Sequence, residues 1–245
     1  MTIGHTLALV SVMTLPATPA IVQSTPPAPG DVIVNEYAAD NDAKDNDFLE
    51  LLVLRDAVDL RGLRVTDNEL VKGALNNGEA VFVFGTDAFL SAVPRGTIIA
   101  VWTATAGVTT DTVVDPAAKD FKMVLAPGTG VTVSADGLGG STNAGFSNNG
   151  DSIYVYLPGP DKTSAGTDNL YLDFVSWEKD DDAAAPAGLT DLNLADPADN
   201  AYYTGLSSAG NDVPTGWVRY GSGSKGTPTP GEPNPKQNLD SVRKR

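Results

Sequence analysis

Four aspartates, Asp40, Asp42, Asp45 and Asp47, crowd the stretch "ADNDAKDND" between two apolar runs. Side-chain carboxylates at that density are hard oxygen ligands, the set calcium prefers. The spacing does not match an EF-hand loop. Counted from Asp40, the fifth residue is Lys44, the sixth is Asp45 where a glycine is needed, and the twelfth is Leu51 where a glutamate is needed. Lys44 also competes for the same carboxylates. Asp and Asn favour turns and solvent, so the solvated tip of a β-hairpin is the preferred reading. The expectation is no cofactor, with calcium the one ion left open. A second acidic run, Asp180 to Asp182, completes a site only if folding brings it near.

Glu36 and Glu50 interrupt apolar strands on either side of that loop. Two carboxylates across a hairpin could serve as a glycosidase acid and base. In a chain with 31 acidic residues such pairs arise readily. Accepting hydrogen bonds from backbone or arginine at a sheet edge is the plainer role. Ser176-x-x-Lys179 and Ser222-x-x-Lys225 match Ser-x-x-Lys, but neither heads a helical segment. The chain has no cysteine and one histidine, His5. Cys nucleophiles, disulfides and Cys/His zinc sites are therefore excluded, and a Ser-His-Asp triad or His base goes too if the N-terminus is removed. No catalytic residue is assigned, and the chain is read as a non-enzyme. Trp102 and Trp177 lie in strands and belong to the core, whereas Tyr202-Tyr203 is the exposed aromatic pair that would stack on a sugar.

Sixteen basic against 31 acidic residues give a net charge of −15. Such a chain repels nucleic acid and anionic lipid, and "VRKR" at its end is too small a patch to reverse this. The first charge is Asp31. The run "IGHTLALVSVMTL" followed by "ATPA" reads as the apolar core and cleavage zone of a secretory signal peptide, without the usual positive n-region. Cleavage is expected near Thr18 or Ile21, placing the chain outside the cytoplasm, secreted or at the cell surface. No later segment reaches the ~20 apolar residues that span a bilayer.

Carrying these side chains are runs rich in β-branched and aromatic residues, bounded by Gly, Asn, Asp or Pro. They are "VIVNEY" (32–37), "FLELLVL" (48–54), "LRVT" (63–66), "AVFVFG" (80–85), "TIIAVWTA" (97–104), "VTVSA" (131–135), "SIYVYLP" (152–158) and "YLDFVSW" (171–177). None keeps a helical period. In "SIYVYLP", Ile153, Val155 and Leu157 share one face, and Tyr154 and Tyr156 the other. Two packed antiparallel sheets suit that alternation. The Gly-rich stretch 134–151 and the acidic stretch 178–214 read as loop insertions.

Several of these pieces resemble the lamin tail domain, an immunoglobulin-like module widespread in secreted bacterial proteins. The resemblance rests on Asn35-Glu36 closing the first strand and on Phe48-Leu49-Glu50-Leu51 in the second. "AVDLRGLRVTDN" (57–68) is similar to the family's Val-Asp-Leu-Ser-Gly-Trp run ending in Asp, with Arg61 in place of Ser and Leu63 in place of Trp. "DFVSW" (173–177) and "GWVRYGSGSKGTPTPGEPN" (216–234) resemble its late strand and closing signature. Lamin tails are shorter, and the two insertions lengthen this chain. The fold this implies is all-β, an immunoglobulin-like antiparallel β-sandwich with loop insertions. With the signal peptide (1–20) and a Pro-rich linker (21–30) read from the residues, the organisation expected is those two segments, the lamin-tail-like sandwich (31–234) and a C-terminal tail (235–245). The implied function is a non-catalytic binding or scaffolding module, of the kind found beside hydrolases, nucleases or phosphoesterases. Its partner would be an unidentified protein or cell-surface component. The alternative is a divalent-metal- or carbohydrate-binding sandwich.

Overall fold

The computed structural model describes residues 23–39, 47–142, 144–147, 150–178, 184–220 and 228–244. Residues 1–22, which include the segment read as a signal peptide and both expected cleavage points, lie outside them, as do Asp40, Asp42, Asp45, the run Asp180 to Asp182, Lys179, Ser222 and Lys225. Among the described residues no helix is long and apolar enough to cross a membrane.

The fold is all-β. Its strands are β1 (Val32–Ala38), β2 (Phe48–Val53), β3 (Arg64–Thr66), β4 (Leu70–Val71), β5 (Ala74–Leu75), β6 (Val81–Phe84) and β7 (Ile98–Trp102). They continue with β8 (Lys122–Pro127), β9 (Gly130–Ser134), β10 (Asp151–Leu157), β11 (Leu170–Trp177), β12 (Asn193–Leu194), β13 (Asn200–Tyr203) and β14 (Trp217–Tyr220). The helical pieces are single turns such as Ser208–Asn211.

One sheet runs β8-β7-β2-β1-β13-β14 and the other β12-β11-β10-β3-β6-β9, joined through β8 and β9. Both bury one face in a shared core that draws Ile33, Leu51 and Ile99 from the first sheet and Val65, Phe82, Ile153 and Val175 from the second. Tyr37 of β1 stacks on Trp177 of β11 across the layers, ring centroids 4.1 Å apart. This is a sandwich, and β1 and β2 pair as the expected hairpin. Most pairs are antiparallel, but β7·β8, β8·β9 and β11·β12 are parallel, so the pairing is mixed where an antiparallel fold was expected.

The alternation in β10 sorts as the sequence requires. Ile153 and Val155 enter the main core with Leu157 against it, while Tyr154 and Tyr156 build a second cluster with Leu70, Leu75 and Phe174 beneath the β4–β5 hairpin. At the turn into β3, Gly62 sits at φ 81°, a conformation open to glycine at no steric cost.

Three regions depart from expectation. The acidic stretch 178–214 is no mere loop: it supplies β12, and β13 pairs with β1. Residues 23–30, read as a linker, lie against the sandwich, with the Thr25 amide donating to Ala57 O (3.1 Å) and Arg55 reaching the Pro26 carbonyl (2.6 Å). In the tail, Gln237, Leu239 and Val242 are buried.

Candidate functional site

β1 and β2 are buried along their whole length, although each has one face turned away from the core. The outer face is covered by the closing segment from Pro228 onward. Its prolines cannot donate to a sheet ladder, so the segment crosses the strands through side-chain contacts instead.

Those contacts gather on Asn35, Glu36 and Glu50. Glu36 opposes Glu50 in the β1–β2 register, next to a bulge between Val34 and Glu36. The Thr229 amide donates to Glu36 Oε1 (3.1 Å) and the Thr229 hydroxyl to Oε2 (3.1 Å). The Gly231 amide donates to Glu50 Oε2 (2.7 Å) and Asn35 Nδ2 to Oε1 (2.6 Å). Asn234 Nδ2 donates to the Asn35 carbonyl (2.9 Å), and Gln237 Nε2 to Asn35 Oδ1 (2.7 Å). Gly231 has φ 82°, and a Cβ there would sit 2.8 Å from the Lys122 side chain. The bulge is served from the other sheet, where Asp173 of β11 accepts from the Val34 amide (2.6 Å) and from Asn211 Nδ2 (2.9 Å).

Burial dominates the electrostatics of these acids. It lifts Glu36 to about 7 against the opposing pull of Thr229. It lifts Glu50 well above the carboxylate range, with the charge of Glu36 adding to the effect. Asp173 is raised to about 7, again chiefly by desolvation. A proton-holding carboxyl beside a second carboxylate has the electronic character of an acid–base pair. Here, however, all four oxygens of the pair accept donors from the chain itself. The role expected for Glu36 and Glu50 at a sheet edge is therefore served in mid-sheet, by backbone amides together with the Thr229 hydroxyl and the Asn35 side-chain amide rather than by arginine.

The remaining sequence candidates separate. Asp47 is buried, where a solvated tip was expected to begin, and its Oδ2 accepts from the Phe146 amide (3.0 Å), tying down the end of the Gly-rich stretch. Ser176 is buried, and its hydroxyl donates to the Leu192 carbonyl (3.1 Å). Trp177 lies in the core as expected, while Trp102 is only half-buried. Tyr202 and Tyr203, expected to be exposed, are buried at 5% and 2%, because the strand they form is packed between β1 and β14.

A second acidic group had no distinct signal in the sequence. Asp67, Glu79 and Asp151 each offer an oxygen within 4.8 Å of the others. Each stands where a strand begins or ends beside Asn or Gly, which by residue type alone is an ordinary turn. Asp151 accepts from the Ser147 and Ser152 amides, both at 2.7 Å. Among the described residues, neither oxygen of the buried Asp67 has a hydrogen-bond partner from another residue. Desolvation pushes Asp67 and Asp151 well above the carboxylate range, and on Asp67 the charges of Asp151 and Glu79 push further.

No protein-family model, curated protein or solved structure matches this chain.

Proposed function

We propose that this chain is a non-catalytic binding or scaffolding module of the lamin tail type, acting outside the cell or at its surface. One observation carries the reading. The blocks on which the resemblance rests, Asn35-Glu36, Glu50 and the closing Thr229-Pro-Gly231-Glu-Pro-Asn234, meet in a single polar clamp. Motif residues used to hold the fold together suit a module whose task lies on its surface. The same clamp weighs against a two-carboxylate hydrolase, since Glu36 and Glu50 are filled by internal donors. The carbohydrate alternative loses its aromatic platform with the burial of Tyr202 and Tyr203.

The test offers purified chain to cell envelopes of the producing organism and, in parallel, to ester, phosphate and glycoside substrates. Saturable retention on the envelopes without turnover is expected. Turnover that vanishes in Glu36→Gln or Glu50→Gln would make the pair catalytic, and absence of retention would remove the surface role.

A further inference from the structure

β3, β6 and β10 are neighbours in one sheet, with β3 antiparallel to both others. The end of β3 and the starts of β6 and β10 therefore share one rim. Asp67 directly follows β3, Glu79 lies two residues before β6, and Asp151 opens β10. The sheet order thus places three carboxylates from distant parts of the chain at one spot.

Asp67 is not satisfied by its surroundings as a member of a self-contained polar network would be. Asp67 is 1% exposed, and among the described residues neither of its oxygens has a hydrogen-bond partner from another residue. An unpaired buried carboxylate is among the costliest groups a protein interior can hold. Asn68 beside it is well provided for: its Nδ2 donates to the Glu79 carbonyl (2.9 Å) and its Oδ1 accepts from the Glu79 amide (2.9 Å). That pair of hydrogen bonds fixes the Glu79 backbone beside Asn68, and so keeps Glu79 close to Asp67. The amides of Ser147 and Ser152 orient Asp151 in the same way.

We infer that Asp67, Glu79 and Asp151 form a binding site for one calcium ion. Oxygens that all lie within 4.8 Å of one another are within reach of a single ion, and three carboxylates drawn from separate strands suit the flexible oxygen shell of calcium better than the strict octahedron of magnesium, which keeps several waters and usually takes one or two carboxylates. An all-carboxylate set selects a hard cation over zinc or copper. The ion supplies the partner that Asp67 lacks and the positive charge that three converging acids require. It also ties β3, β6 and β10 together at their shared rim. Of the acidic run that is obvious in the sequence, Asp40, Asp42 and Asp45 lie outside the described residues.

The test is thermal melting of the full chain in chelator, in calcium chloride and in magnesium chloride at matched ionic strength. At a hundredfold excess over Kd, calcium should raise Tm by about 5–10 °C above the magnesium control. Asp67→Asn should fold, melt in chelator no lower than the parent because a buried charge is removed, and show no calcium-specific rise. Asp42→Asn and Asp45→Asn should respond as the parent does. No calcium-specific rise in the parent, a rise that survives Asp67→Asn, or one lost only in the loop variants would overturn the assignment.

Discussion

Glu36 and Asp173 hold their protons more tightly in the folded chain than in the unfolded one, because burial penalises their charged forms. Each titrates at about 7 in the fold, against ordinary values of 4.5 and 3.8. The sign follows from proton linkage: their contribution to stability is full below pH ~4 and is lost as pH rises through about 7. Unfolding by urea in chelator should therefore have a higher midpoint at pH 5 than at pH 8, with a stability difference on the order of 2–3 kcal/mol for each of the two acids. Glu36→Gln should narrow that gap, since amide and protonated acid are alike in charge. A midpoint higher at pH 8 would mean that these acids are charged and satisfied in the fold. The types and positions of Glu36 and Glu50 were visible in the sequence as acids inside apolar strands. Their donors were not, because Thr229 and Gly231 lie almost two hundred residues further along and read as turn residues. Asp67, Glu79 and Asp151 were less visible still, since only the strand order makes them neighbours.

At the scale of elements, periodicity served where a strand has two differently filled faces. The Ile153/Val155 and Tyr154/Tyr156 faces of β10 were readable because two separate apolar clusters receive them. β8, "KMVLAP", ends in proline and starts with lysine, and it escaped notice as a strand. β13, "NAYY", sits in a long polar stretch, and its place in the sheet comes from pairing with β1 and β14 rather than from its own pattern. Gly62 is a firmer case, because a turn between Leu60 and Leu63 demands an unusual backbone. It lies at φ 81° with nothing within 4 Å of where a Cβ would be. Gly62→Ala therefore meets no clash, only the left-handed conformation, and should cost about 1–2 kcal/mol in chemical unfolding. A neutral result would show that the turn relaxes to negative φ.

Across the whole molecule, the sandwich is closed from outside as well as packed within. The β4–β5 hairpin covers the outer tyrosines of one sheet, and the closing segment covers the outer face of β1 and β2 in the other. The resemblance in sequence marked both ends of that closure without showing that they touch. Glu36 and Glu50 hold the last segment in place, so that segment is expected to unfold only with the strands beneath it. Native-state amide exchange measures this directly. The Thr229 and Gly231 amides should exchange as slowly as those of β1 and β2, through global unfolding alone. Exchange at free-loop rates while Val34 and Leu51 stay protected would contradict the account, and would free both carboxylates for a different role.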